Sequence, residues 1–193
     1  MWYVRVMPVE QLLMYLPLAC LLACAAGTDL RSRRIPNWLT LTMAVTGVAQ
    51  SLTPLAVVTP GQSLVGLLVG LVLPLAIYAV GGLGAGDVKL LAGVGAWVGA
   101  WPLVMIVAAA AVIGLVIVLA QCAYHGRLVA LFQNAWALVM SVLLIRRLGV
   151  AHVIETGQSR RTLDRQLPYA VPVLLGTAAV LAFSVARGAG GMP

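Results

Sequence analysis

Apolar residues in this chain run on in long blocks, broken only by short polar or glycine-containing stretches. A helix needs about 20 mostly apolar residues to cross a bilayer. Six blocks are candidates: residues 9–28, 38–58, 62–80, 88–100, 103–123 and 168–186. The fourth is short, so it either begins in the glycine run before it or sits in a protein-lined environment. The pattern predicts an all-α, polytopic membrane bundle of about six transmembrane helices in a single domain covering residues 1–193. Residues 53–61, which contain two prolines, read as an external turn, and the glycine-containing tail 188–193 as frayed.

Charge orients these blocks. With the N-terminus outside and the spans alternating, Arg31, Arg33, Arg34, Lys89, Arg127, Arg146, Arg147, Arg160, Arg161 and Arg165 fall inside, and only Arg5 and Arg187 fall outside. That asymmetry is the positive-inside bias. Residues 128–145 are apolar enough for a seventh span. Arg127 and Arg146–Arg147 flank them, however, and Gln133 and Asn134 interrupt them. Spanning would also export the arginines that follow. The sequence therefore favours an interfacial helix, with 124–167 forming a cytoplasmic helix and loop. The first block imitates a signal peptide, ending in small residues around Ala23-Cys24-Ala25-Ala26. Arg31, Arg33 and Arg34 follow immediately and oppose export, so a retained helix is expected.

Composition agrees. The 193 residues are 62% hydrophobic and 9% charged, with a mean hydropathy of +1.05. Soluble domains carry about 25% charged residues. The net charge of +7 is then explained by loop topology and anionic lipid rather than nucleic acid. Cys20, Cys24 and Cys122 lie inside apolar blocks and read as small buried hydrophobes. Their spacing fits no zinc site, and neither metal nor cofactor is expected. His125 and His152 accompany no Ser or Cys nucleophile in a recognisable setting and read as solvated or interfacial. Trp2, Tyr3, Trp38, Trp97, Trp101 and Trp136 lie near block ends and suit an interfacial belt.

The candidate chemistry lies in two acids. Of five acidic residues, only Asp29 and Asp87 adjoin blocks on the inner side without belonging to the long polar loop. Ionisable groups at membrane depth are expensive and mark function by default. Each also has a structural explanation. Asp87 could N-cap the block that follows it. Asp29, at a helix C-terminus, faces the unfavourable end of the dipole and could pair with Arg31, Arg33 or Arg34. Together, two close carboxylates share a proton; one can act as base on a water while the other donates to a carbonyl. Gly81, Gly82, Gly84 and Gly86 precede Asp87 and would allow positive φ and close approach of a substrate backbone. Gly66-x-x-x-Gly70 and Gly95-x-x-x-Gly99 suit close helix packing.

Gly84-Ala85-Gly86-Asp87-Val88-Lys89-Leu90 resembles the GxGD signature of membrane aspartyl proteases, in the form found in type IV prepilin peptidases. Asp29-Leu30-Arg31-Ser32-Arg33-Arg34-Ile35-Pro36-Asn37 resembles that family's first aspartate segment, and Leu167-Pro168-Tyr169-Ala170 with Gly176 resembles the start of its last helix. The resemblance implies a peptidase cutting leaders from prepilins or pseudopilins at the cytoplasmic face of the inner membrane, with Asp29 and Asp87 catalytic and Gly84, Gly86 and Lys89 shaping the loop or binding substrate. Lys89 matches the motif without a fixed role, and if close to Asp87 it would lower that acid's proton affinity. The paired Cys motifs of larger members, associated with N-methylation, have no counterpart here; the compact form is similar to peptidases of tight-adherence (Flp) pili or to archaeal preflagellin peptidases. Two other classes fit paired membrane acids: a small ion-coupled transporter or channel subunit, and a non-catalytic scaffold for pilus or secretion assembly. A homo-oligomer is left open by the sequence.

Overall fold

The computed structural model describes residues 14–54, 56–79, 83–126 and 168–189, with positions 129, 133, 136 and 140. Among them are six helices and no strand: α1 (Leu16–Ser32), α2 (Asn37–Ser51), α3 (Pro60–Ala79), α4 (Ala85–Val98), α5 (Ala100–Tyr124) and α6 (Ala170–Ala189). Each coincides with one of the six apolar blocks. Residues 128–145 lie outside the described residues apart from the four isolated positions, whose backbone is helical. The loop to residue 167 and the tail from 190 also lie outside them.

Local chemistry sets the boundaries. α1 ends where Arg33 turns left-handed (φ 51°, ψ 31°) and donates its N–H to the Asp29 carbonyl. Pro36 is extended and serves as N-cap of α2, one residue ahead of its first turn. α3 begins with a reciprocal cap: Thr59 N–H donates to Gln62 Oε1 (3.0 Å) and Gln62 N–H to Thr59 Oγ1 (3.3 Å). Gly99, at φ +81°, makes the break between α4 and α5, a conformation that favours glycine.

α4 is the central helix. From Val88 to Val98 every residue but Lys89 is buried, and α2 and α3 pack along it. At 14 residues it is about 21 Å long, short of a bilayer's hydrocarbon core, and its surroundings are protein. Glycine makes this packing possible. A Cβ on Gly66 would collide with the Gly95 carbonyl, and one on Gly70 with the Leu91 carbonyl. Both small-residue motifs therefore act as expected. Ser63 on α3, fully buried, donates to the Ala96 carbonyl of α4 at 2.7 Å.

The outer helices are apolar on the outside. α3 and α5 are long and apolar enough to cross a membrane, and they expose Leu64, Val65, Leu68 and Val72, and Val112, Leu115 and Val116. Water does not favour so continuous an apolar surface; lipid does. The chain is a helical integral membrane protein.

Two expectations fail here. Trp97 is not in an interfacial belt: it is 3% exposed and its indole N–H donates to the Met43 carbonyl at 3.0 Å. Trp38, Trp101 and Trp136 are exposed, whereas Trp2 and Tyr3 lie outside the described residues. Of the cysteines only Cys122 is buried; Cys20 and Cys24 face outward from α1. An apolar block flanked by lipid and protein has no polar side to show which face turns inward.

Candidate active site

The last turn of α1 carries Asp29 and the first turn of α4 carries Asp87. Both stand one residue beyond the predicted spans, at the rim of the bundle. They line one cavity of about 300 Å³, with Arg33, Arg34, Ile35 and Asn37 from the α1–α2 turn, Gly84, Ala85, Gly86 and Lys89 around Asp87, and Pro168 and Tyr169 ahead of α6. The expected site residues Asp29, Asp87, Gly84, Gly86 and Lys89 are thus brought together. Gly81 and Gly82 lie outside the described residues.

Asp29 is 7% exposed. Its Oδ2 accepts the backbone N–H of Ala170 at 3.1 Å, a contact between residues 141 positions apart. That N–H opens α6 and has no partner within its own helix, so the positive end of α6 compensates the unfavourable end of α1. The arginine pairing expected as an alternative for Asp29 takes the form of a favourable field from Arg33. Burial raises the pKa of Asp29 above the usual carboxylate range, while the Ala170 N–H and Arg33 pull it back.

Asp87 is not an N-cap. Gly84 occupies that position in extended conformation (φ −87°, ψ 152°), and Asp87, three residues on, accepts the Gly84 N–H on Oδ2 at 3.1 Å. Gly84 has no side chain to return the favour, so only this half of a capping box forms. The glycine here relieves crowding rather than supplying positive φ: a Cβ at Gly84 would stand 3.0 Å from Asp87 Oδ2, so the carboxylate would have to give by a few tenths of an ångström. Gly86 lies against Ile35, where a Cβ would meet ordinary contacts at 3.5 Å. Burial, chiefly, pushes the Asp87 pKa up to about 6; the Gly84 N–H lowers it and the charge of Asp29 raises it further. The two acids therefore feel each other.

Lys89 does something the sequence does not suggest. Instead of acting on Asp87, it donates from Nζ to Asn37 Oδ1 at 2.9 Å, joining α4 to the start of α2. Residues i and i+2 point to different sides of a helix, which separates Lys89 from Asp87. Asn37 and Tyr169 stand in the sequence only as members of the resemblance segments, without a role of their own; both line the cavity. His125 is exposed after α5 and sits 2.8 Å from the Gln121 carbonyl, away from the cavity. His152, Glu155 and Asp164 lie outside the described residues. Among the described residues no cluster of three or more His, Cys, Asp or Glu could hold a metal.

A family model described as the type IV leader peptidase family matches residues 16–119. No curated protein and no solved structure gives a match. The matched region runs from the start of α1 into α5 and contains both acids. Because the match covers more than half of its 193 residues, the chain belongs to the type IV leader peptidase family.

Proposed function

We propose that this family member is an aspartic endopeptidase that removes the leader of type IV, Flp-like prepilins at the cytoplasmic face of the inner membrane, with Asp29 and Asp87 as its catalytic pair. One observation carries the proposal: two carboxylates 58 positions apart in sequence share one cavity, and the charge of Asp29 adds to the cost of ionising Asp87.

The environments divide the labour. Asp29 accepts the Ala170 N–H and lies in the field of Arg33; both favour its carboxylate form, suited to removing a proton from water. Asp87 holds the shared proton more tightly and donates it to the scissile carbonyl oxygen as the water oxygen bonds to carbon. The resulting gem-diol intermediate collapses when Asp29 passes the proton it took from water to the amide nitrogen, Asp87 takes back a gem-diol hydroxyl proton, and the C–N bond breaks to leave the free acid and amine. No cofactor is required for this chemistry. Gly84 and Gly86 keep side chains out of the path of an extended peptide. No methyl transfer is assigned.

Asp29→Asn and Asp87→Asn are each expected to abolish processing of a co-expressed Flp-type prepilin, read as a mobility shift, with normal membrane insertion. Wild-type processing in either variant refutes the proposal. Asp-dependent ion flux in proteoliposomes without cleavage would indicate a transporter; loss of pilus assembly without any cleavage would indicate a scaffold.

A further inference from the structure

Acid–base groups accelerate hydrolysis only when the peptide between them is held in register. The acids, Gly84 and Gly86 provide reactive groups and space, but little that grips a main chain. One wall of the cavity carries a polar side chain held in a fixed orientation. Asn37, exposed to it at the start of α2, receives the Lys89 ammonium on Oδ1. An ammonium has three donors and no acceptor, so this contact fixes which way the amide faces. Its oxygen is turned to Lys89 and its N–H₂ group is turned away. Among the described residues that N–H₂ makes no hydrogen bond.

We infer that the Asn37 carboxamide nitrogen is a substrate-binding donor for a main-chain carbonyl of the bound peptide, and that Lys89 is a positioning residue that keeps the amide from flipping. The inference rests on the peptidase proposal above. An amide N–H₂ is well matched to such a role, because it recognises the carbonyl that every residue of an extended peptide presents, whatever the side chains. If the amide flipped, its oxygen would face the incoming carbonyl, acceptor to acceptor. The lysine prevents this without entering the acid pair.

A simple tie between α2 and α4 would use the same hydrogen bond, so the test separates tie from donor. Asn37→Asp keeps the link to Lys89, as a carboxylate–ammonium pair, but carries no N–H. Asn37→Ala loses both. Purified variants would be assayed on a synthetic leader-junction peptide, with thermal stability measured alongside. Peptide affinity would also be measured in the uncleaving Asp87→Asn background. The donor role predicts that Asn37→Asp, like Asn37→Ala, raises KM and the Kd of the uncut peptide about tenfold or more, with kcat within about threefold and stability undiminished for Asn37→Asp. Lys89→Leu raises KM as well, and Lys89→Gln, whose amide can still donate to Asn37 Oδ1, recovers the loss. If Asn37→Asp binds and cuts like wild type while only Asn37→Ala fails, the residue is a tie and the inference is wrong. If the wild-type enzyme cuts no leader peptide, the peptidase proposal falls and this inference with it; wild-type cleavage with an unaffected Asn37→Asp overturns the inference alone.

Discussion

Asp87→Asn should inactivate the enzyme and stabilise it, but only at neutral and alkaline pH. In the folded protein the Asp87 pKa stands at about 6, against an ordinary 3.8. The difference of about two pH units corresponds to about 3 kcal/mol. Its sign follows from linkage: a group whose folded pKa is raised binds its proton more tightly when folded. Below pH 3.8 Asp87 is neutral in both states and costs nothing. Between about 4 and 6 stability declines, and above about 6 the folded state bears the full cost of the buried charge. Asparagine imitates the neutral acid, and its Oδ1 can still accept the Gly84 N–H. The variant should therefore exceed wild type by about 3 kcal/mol at about pH 8. In a chain of this size that is a rise in Tm of about 6–12 °C. Near pH 4 the gap should close. Cys122 provides the assay: it is buried and would react with a fluorogenic maleimide only on unfolding, in a background with the outward-facing Cys20 and Cys24 replaced by serine. A gap of equal size at pH 4 and pH 8 would refute the reasoning. So would a variant less stable than wild type at pH 8, which would make the Asp87 carboxylate a favourable charge at the start of α4 rather than a strained one.

Two other consequences are open to measurement. kcat/KM should fall as pH rises through about 6, along a limb of one proton, because Asp87 must enter the reaction protonated; a flat profile from pH 5 to 8 would contradict the assignment of donor and base. Gly70→Leu should abolish folding of the bundle, since even a Cβ there meets the Leu91 carbonyl of α4 and backbone cannot yield as a flexible side chain does; purified yield and Tm report it, and a monodisperse variant with wild-type Tm would show that α3 and α4 are not so closely packed.

The six helices were legible because a hydropathy run states its own length and position. Their faces were not. Trp97 sits near the end of a block and reads as a belt residue, yet α2 and α4 approach closely enough to enclose it: a Cβ on Gly47 would stand 2.8 Å from the Trp97 ring. Cys20 and Cys24 read as buried, yet α1 turns them outward, and nothing in an all-apolar run distinguishes a lipid face from a protein face. The acids were legible because charge is rare in such a chain. Their partners were harder to see. The Ala170 N–H that holds Asp29 is a backbone group, so no residue type announces it, and it arrives from 141 positions away. The glycines before Asp87 suggest that the acid itself is the N-cap; the turn starts three residues earlier, at Gly84. Lys89 lies beside Asp87 in sequence, but helical geometry carries it to Asn37.

Whether Asp29 and Asp87 act as one unit is tested most directly by steady-state cleavage of a leader-junction peptide by purified wild type, Asp29→Asn, Asp87→Asn and the double variant. Groups that cooperate in a single proton transfer are not additive. Each single variant should lose at least about a thousandfold in kcat, and the double variant should lose no more than either one. A single variant within tenfold of wild type, or losses that multiply in the double variant, would contradict the pair.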